Sequence, residues 1–224
     1  MGTISVEKAN NLFWLGRYAE RTFTTLREFH NYYDRMIDVD ENIYRILCEK
    51  LIIPNIYTSK QNFIRTYLFD KNDINSIYNS ILRAFDNAVL VRNEISTDCL
   101  SYIQMALDKI EKSKESKMLL FDLLTVTDYL FAFWGSISDN VESEEAKDII
   151  ECGKYVERLD LYLRLSYDYT NICRTFSKLK KILKEVKFSY NESNIEKIET
   201  LIKTKDLKNN SFQILGLLSN VVTV

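Results

Sequence analysis

A short motif that combines glycine, basic, tyrosine and glutamate residues occurs twice in the chain, at Gly16–Arg21 and at Gly153–Arg158. A glutamate such as Glu20 or Glu157 can act as a general base when its pKa lies near the working pH. Arginine binds carboxylates and phosphates through two parallel hydrogen bonds. The motif therefore has the residue types for acid–base chemistry, with Glu20 and Glu157 as candidate bases, or for binding an anion.

The two copies belong to a longer internal repeat, in which Leu12–Asp34 aligns with Ile149–Asn171 without gaps. Gly, Tyr, Glu and Arg of the motif are identical in both copies. A glycine inside a helix costs about 1 kcal/mol relative to alanine, so two such glycines need a structural reason. Because glycine has no Cβ, we expect Gly16 and Gly153 to permit close contact with another backbone or a bulky ring.

The adjacent glutamate and arginine of each copy cannot pair with each other, because successive residues of a helix point about 100° apart. One interpretation is structural: two long helices cross and exchange partners, Glu20 with Arg158 and Glu157 with Arg21. Such a buried exchange adds little net stability but fixes the register of the helices.

The other interpretation is functional: the basic residues face a shared groove and bind a phosphate or a peptide carboxylate. Asn87 and Arg92 are candidates to complete this polar cluster, although Arg92 could equally be a cation at the negative end of a helix dipole. The full candidate set, binding or structural, is Arg17, Glu20, Arg21, Lys154, Glu157, Arg158, Asn87, Arg92, Trp14, Tyr18 and Tyr155.

The composition predicts an all-α fold, because Gly 5 and Pro 1 are too few for the tight turns of a β protein. We expect one domain over residues 1–224, a multi-helix bundle with two long pseudo-repeated helices and a C-terminal helical extension over 175–224. The apolar stripe of the first helix is Leu12, Leu15, Ala19, Phe23, Leu26, His30, Tyr33 and Ile37. The predicted helices are Ser5–Ile37, Glu41–Ile53, Gln61–Phe69, Asp73–Glu94, Thr97–Glu111, Met118–Ser136 and Ser143–Thr175.

Several function classes are disfavoured. His30 is the only histidine, so neither a Ser-His-Asp triad nor a histidine-rich metal site is expected, and no glycine-rich phosphate loop or other cofactor motif is present. A net charge of −2 gives no field that would steer nucleic acid to the protein.

The apolar run Leu119–Trp134 is interrupted by Asp122 and Asp128, which predicts a core helix and not a membrane span. Four cysteines without a C-x-x-C pair, together with an N-terminus unlike a secretory signal, predict a cytoplasmic protein.

The segment Asn11–Arg21 resembles the N-terminal signature of the Alpha-E family, described as an α-helical domain with a recurring Glu-Arg motif. Asp86–Ser96 is similar to the family's central block, and Gly153–Arg158 is similar to a third family segment. The resemblance therefore extends over Asn11–Arg158 and implies a helical domain.

The resemblance also implies an accessory role, because family members resemble partners of ATP-grasp amide ligases, transglutaminase-like proteins and proteasome-like peptidases in peptide-modification systems. On this basis we expect a non-catalytic domain that binds a protein or peptide partner, with an ATP-grasp ligase as one candidate. Two alternatives stay open. One is an enzyme or ligand-binding protein whose Glu/Arg groove takes an anionic or peptide substrate. The other is a structural oligomer built on aromatic faces.

Overall fold

The computed structural model describes residues 4–222, and the secondary structure in this range is helical apart from one isolated bridge between Tyr190 and Val222. The predicted all-α bundle is therefore confirmed. The first three residues, on which part of the expectation about the N-terminus rests, lie outside the described residues. The helices are α1 (Val6–Asp38), α2 (Tyr44–Leu51), α3 (Lys60–Phe69), α4 (Ile77–Leu90), α5 (Thr97–Ser113), α6 (Leu119–Asn140), α7 (Glu144–Arg164), α8 (Tyr169–Leu183), α9 (Glu192–Lys203) and α10 (Leu207–Leu218).

Helices α1 and α7 form the centre of the bundle, and α1 also packs against α4 and α6. The Ser5 hydroxyl accepts a hydrogen bond from the Lys8 amide and so caps the start of α1. The predicted apolar stripe is buried from Leu12 to Leu26, but Ile37 at its end is exposed. In the last turns the buried residues are instead Phe29, Tyr32 and Met36, since this part of α1 packs on other neighbours, including the ring of Phe63 on α3.

The second long helix is shorter than predicted, because the expected helix over Ser143–Thr175 is divided between α7 and α8. The break is a Schellman motif, in which Ser166 takes a φ of 60°, the Ser166 amide donates to Leu163 O, and the Tyr167 amide donates to Tyr162 O. The rings of Tyr162 and Tyr167 stack at 4.0 Å and supply the apolar contact of this motif. Asp168 then caps α8.

Other helix boundaries also differ from the prediction: α2 is Tyr44–Leu51, α4 is Ile77–Leu90, and α5 ends at Ser113. Asp73 does not cap α4; its carboxylate accepts from the Asn75 amide in the preceding turn, and Ser76 is the residue that caps the helix. The polar segment after Ser136, predicted as a connection, continues α6 to Asn140. The Asn140 side chain donates hydrogen bonds to the hydroxyl of Ser136, one turn earlier, and to the carboxylate of Asp98 on α5. Both contacts are made by the extended end of α6.

The apolar core is one continuous cluster that extends from Ala9 to Val221. Helix α6 contributes one face to it and leaves the other uncovered, so that Phe121, Leu124 and Phe131 are each more than half exposed. By length and composition alone α6 is apolar enough to cross a membrane, although 39% of its most apolar window is buried in the fold. The sequence expectation that α6 is a core helix therefore describes only one of its faces.

Candidate functional site

Helices α1 and α7 cross at the two motif glycines. A Cβ atom on Gly16 would lie 2.0 Å from the carbonyl oxygen of Ile150, and a Cβ atom on Gly153 would lie 2.0 Å from that of Phe13. Both distances are far below van der Waals contact, so a side chain at either position would push the backbones apart. Because Phe13 and Ile150 are equivalent positions of the repeat, the two close approaches are reciprocal.

Each motif glutamate is buried and binds the arginine of the other copy. Glu20 accepts hydrogen bonds from Arg158 Nε at 2.6 Å and from Arg158 Nη2 at 2.8 Å. Glu157 accepts one from Arg21 Nε at 2.6 Å. The side chains of both glutamates are at most 1% exposed. The exchange that the structural interpretation requires is therefore present, with Arg21 bound to Glu157 and Arg158 bound to Glu20.

A second donor binds each carboxylate, and its source differs between the copies. Glu157 also accepts a hydrogen bond from Arg17 Nε at 2.8 Å. The equivalent of Arg17 in the second copy is Lys154, but Glu20 takes its other donor from the hydroxyl of Thr24 at 2.8 Å. The second copy has a leucine at the position of Thr24 and could not donate in this way. The repeat is therefore symmetric at its glycines and central ion pairs and asymmetric around them.

Lys154 faces an aromatic ring and not a carboxylate. Its Nζ lies 3.9 Å from the ring centroid of Trp134, at cation–π distance. Burial lowers the pKa of Lys154 to about 8, although the nearby Glu20 acts in the opposite direction. The Trp134 Nε1 atom is itself buried and finds no hydrogen-bond acceptor among the described residues. Lys154 therefore does not join Arg17, Arg21 and Arg158 in the shared groove that the functional interpretation requires.

The flanking aromatic residues cover the ion pairs. Trp14 and Tyr18 stack at 5.3 Å, and the Arg17 guanidinium lies 4.6 Å from the Trp14 ring centroid. On the other copy, the Arg158 guanidinium lies 5.6 Å from the ring of Tyr155, which is buried. These rings cover one side of the Arg17 and Arg158 guanidinium groups, whose side chains are each 20% exposed. Trp14 and Tyr18 are themselves half-buried.

Asn87 and Arg92 do not join the Glu–Arg network. The Asn87 amide donates to Arg83 O in its own helix. Arg92 is exposed and lies two residues beyond the end of α4, as expected of a cation near a helix C-terminus. The polar cluster predicted from these two residues is therefore absent from the described structure.

The arrangement is poorly suited to general-base chemistry. Burial alone would raise the pKa of Glu157, but the positive charges of Arg21 and Arg17 outweigh it and hold this pKa below its usual range. A carboxylate that is fully hydrogen-bonded and enclosed cannot approach a substrate proton. Among residues 4–222, no group of three His, Cys, Asp or Glu side chains is placed to hold a metal ion.

One further pair near the site was missed from the sequence. Asp160 accepts hydrogen bonds from Arg164 Nε and Nη2, and Arg164 Nη1 donates to Leu51 O. The spacing of four residues within a helix is a signal that could have revealed the Asp160–Arg164 pair. The contact with Leu51 depends on the tertiary fold and leaves no such signal.

The chain matches the family model of the Alpha-E domain, described as a predicted alpha-helical domain with a conserved ER motif, over residues 7–199. The chain belongs to the Alpha-E family. The match includes both copies of the motif and both central ion pairs, so the Glu-Arg dipeptides of this Alpha-E protein are the ones that bind across the α1–α7 crossing. It runs through α8 and into α9. No curated protein and no solved structure matches the chain.

Proposed function

We propose that this Alpha-E protein is a non-catalytic accessory domain of the cytoplasm that binds a protein partner through the uncovered face of α6. The partner class we propose is an ATP-grasp amide ligase of a peptide-modification system, as the family resemblance implies. Neither nucleic acid nor a membrane is part of the proposed role.

The observation that supports this proposal is the row of apolar side chains on the outer face of α6. Phe121 is 61% exposed, Leu124 is 51% exposed and Phe131 is 57% exposed. Their spacing places all three side chains on one side of the helix. Exposed apolar patches of this kind mark interaction sites in soluble proteins, and aromatic side chains supply much of the binding energy at such sites.

The Glu–Arg motif supports the proposal from the other direction. Its carboxylates are enclosed and satisfied by arginine, so the motif holds the two central helices together and leaves no free base for a reaction. A rigid scaffold with an uncovered apolar helix face fits an accessory domain better than an enzyme. The ligand-binding alternative is favoured by one separate feature, a cavity beside Arg21, which is considered below.

Reconstitution with a purified ATP-grasp ligase from the same genome tests the proposal, with complex formation measured by isothermal titration calorimetry. We expect a complex, and we expect Phe121→Asp to weaken it at least tenfold, as truncation of an interface anchor does. Phe212→Asp is the matched control, because Phe212 is 75% exposed but lies on α10. Its affinity should remain within twofold of the unmodified protein.

Two results would count against the proposal. One is the absence of a complex together with unchanged ligase activity. The other is equal loss of affinity in Phe121→Asp and Phe212→Asp, which would show that charge and not the α6 face is responsible. Sedimentation with lipid vesicles provides a further check, because binding to vesicles that Phe121→Asp abolishes would assign the α6 face to a membrane instead.

A further inference from the structure

A polar cavity of about 220 Å³ lies beside Arg21, whose ion-pair partner Glu157 is not among the lining residues. For comparison, one molecule of liquid water occupies about 30 Å³, so the cavity can hold a small ion with some water. The polar residues that line it come from α1, α3, α4, α7 and the segment before α4: Arg21, Thr25, Tyr67, Asn75, Ser80 and Arg164. No residue of α6 lines the cavity, so it is separate from the proposed partner surface.

The residues that line the cavity include two arginines, Arg21 and Arg164, and no carboxylate. Arg164 is balanced by Asp160, which accepts two of its hydrogen bonds. Glu157, in contrast, serves both Arg17 and Arg21. One carboxylate therefore serves two guanidinium groups, and no carboxylate lines the cavity to repel a bound anion.

Two side chains that line the cavity, Arg21 and Ser80, carry hydrogen-bond donors without a protein acceptor in residues 4–222. Arg21 uses only its Nε–H on Glu157, and in residues 4–222 its two terminal nitrogens donate to no protein atom. Ser80 is 5% exposed, and its hydroxyl makes no hydrogen bond within the described chain, not even to its own helix. Burial raises the pKa of Tyr67 well above its ordinary value, so its hydroxyl stays protonated and can donate.

The Ser80 side chain lines the cavity, and a guanidinium with free terminal N–H groups presents the fork that fits an oxyanion. We propose that this cavity binds a small oxyanion, a carboxylate or a phosphate, between the Arg21 guanidinium and the hydroxyls of Tyr67 and Ser80. Two terminal N–H groups of Arg21 would bind two oxygens in parallel, and the hydroxyls would donate to the remaining lone pairs. The proposal is independent of the partner on α6.

Calorimetric titration of the full chain with sodium phosphate and, separately, with sodium acetate tests this assignment. Sodium chloride at equal ionic strength is the reference, since it reports only general screening. We expect saturable binding of one ion in at least one of the two titrations. Phosphate alone, acetate alone or both would identify the source of the oxyanion.

Tyr67→Phe is the informative variant, because it removes one hydroxyl and leaves the ring in place. We expect it to weaken binding about tenfold, as the loss of one hydrogen bond to a charged group does. Tyr44→Phe is the matched control. Tyr44 and Tyr67 each stack on the ring of Phe63, at 5.1 Å, but the Tyr44 hydroxyl bonds Tyr57 O and does not line the cavity.

Ser80→Ala provides a second test that is independent of the aromatic cluster, and it should also weaken binding several-fold. Circular dichroism and thermal melting verify that each variant is folded. The proposal is overturned if neither anion binds more than chloride does. It is equally overturned if Tyr67→Phe and Tyr44→Phe weaken binding to the same extent, or if neither Tyr67→Phe nor Ser80→Ala changes it.

Discussion

Replacing Gly153 by alanine should separate the two central helices, although alanine is the best helix former. The new Cβ would lie 2.0 Å from the carbonyl oxygen of Phe13. That oxygen belongs to the backbone of α1 and cannot rotate away, so the helices must move apart by about 1 Å to restore even a tight contact. The shift also stretches the 2.6 Å contact between Arg158 Nε and Glu20.

The magnitude follows from three contributions. Overpacking a filled interior costs about 1–3 kcal/mol. Disrupting a buried ion pair adds up to about 3–5 kcal/mol. The gain in helix propensity on replacing glycine by alanine offsets about 1 kcal/mol. We therefore expect Gly153→Ala to lower the free energy of unfolding by about 3 kcal/mol or more. In a domain of this size that is a fall of about 6–12 °C in Tm.

Thermal melting followed by circular dichroism measures this effect, and Gly135→Ala is the matched control. Gly135 also lies inside a helix, but a Cβ there would meet no atom within 4 Å. We therefore expect Gly135→Ala to raise the free energy of unfolding by up to about 1 kcal/mol, from helix propensity alone. If Gly153→Ala melted at or above the temperature of the unmodified protein, the close crossing of α1 and α7 would be refuted.

Three other substitutions have defined outcomes. Ser166→Gly should raise the free energy of unfolding by about 0.5–1 kcal/mol in denaturant titration, because Ser166 has a left-handed backbone at φ 60°. Thr24→Val should lower it by about 1.5–3 kcal/mol, because it removes a hydroxyl that donates to the buried Glu20 carboxylate. Lys154→Met should raise it by about 1–3 kcal/mol at pH 7, and this gain should shrink by about 1 kcal/mol between pH 7 and 9.

The sign of the Lys154 effect follows from its lowered pKa. The folded protein releases this proton near pH 8, whereas the unfolded chain keeps it to about 10.5. The penalty for a buried ammonium is therefore complete below pH 8 and declines as the pH rises from 8 toward 10.5. A gain that stays constant with pH, or grows, would contradict this account. The tyrosines and cysteines also titrate in this pH range, but they are present in both proteins. Their contribution therefore cancels when the free energy of unfolding of the unmodified protein is subtracted from that of Lys154→Met at each pH.

The other two substitutions have their own controls. Thr127→Val changes a buried threonine whose hydroxyl bonds a backbone carbonyl of its own helix, so it should cost less than Thr24→Val. Equal losses would show that the Glu20 carboxylate does not depend on Thr24. The control for Ser166→Gly is Ser143→Gly. Ser143 caps α7 with its side chain, so we expect Ser143→Gly to lower the free energy of unfolding. If both glycine substitutions raised the free energy of unfolding, the left-handed backbone of Ser166 would not be the cause.

Features that follow from local residue patterns were predictable from the sequence. The first helix was placed within one residue at each end, because its cap and periodic apolar residues are local signals. The two glycines were expected to permit a close approach, and the Glu20–Arg158 and Glu157–Arg21 exchange was one of two interpretations. The repeat predicts this reciprocal pairing, because two equivalent helices that cross can each bind the arginine of the other copy.

Features that depend on tertiary contacts were not predictable in the same way. The helix end at Ser166 lacks the glycine that usually marks a left-handed residue, so the sequence pattern predicts one continuous helix through α7 and α8. Lys154 was expected beside the arginines, but its position depends on Trp134, which is distant in sequence. The cavity near Arg21 is lined by segments that are distant in sequence and has no local signature.

The central claim is that the duplicated motif holds α1 and α7 together through buried ion pairs, and a double-mutant cycle on Glu20 and Arg158 tests it most directly. The free energies of unfolding of Glu20→Gln, Arg158→Gln and the double variant give the coupling energy of the pair. We predict a coupling of about 2–3 kcal/mol, against less than about 1 kcal/mol for the exposed pair Lys71–Glu111. A coupling near zero, or no larger than that of the exposed pair, would contradict the structural role of the motif.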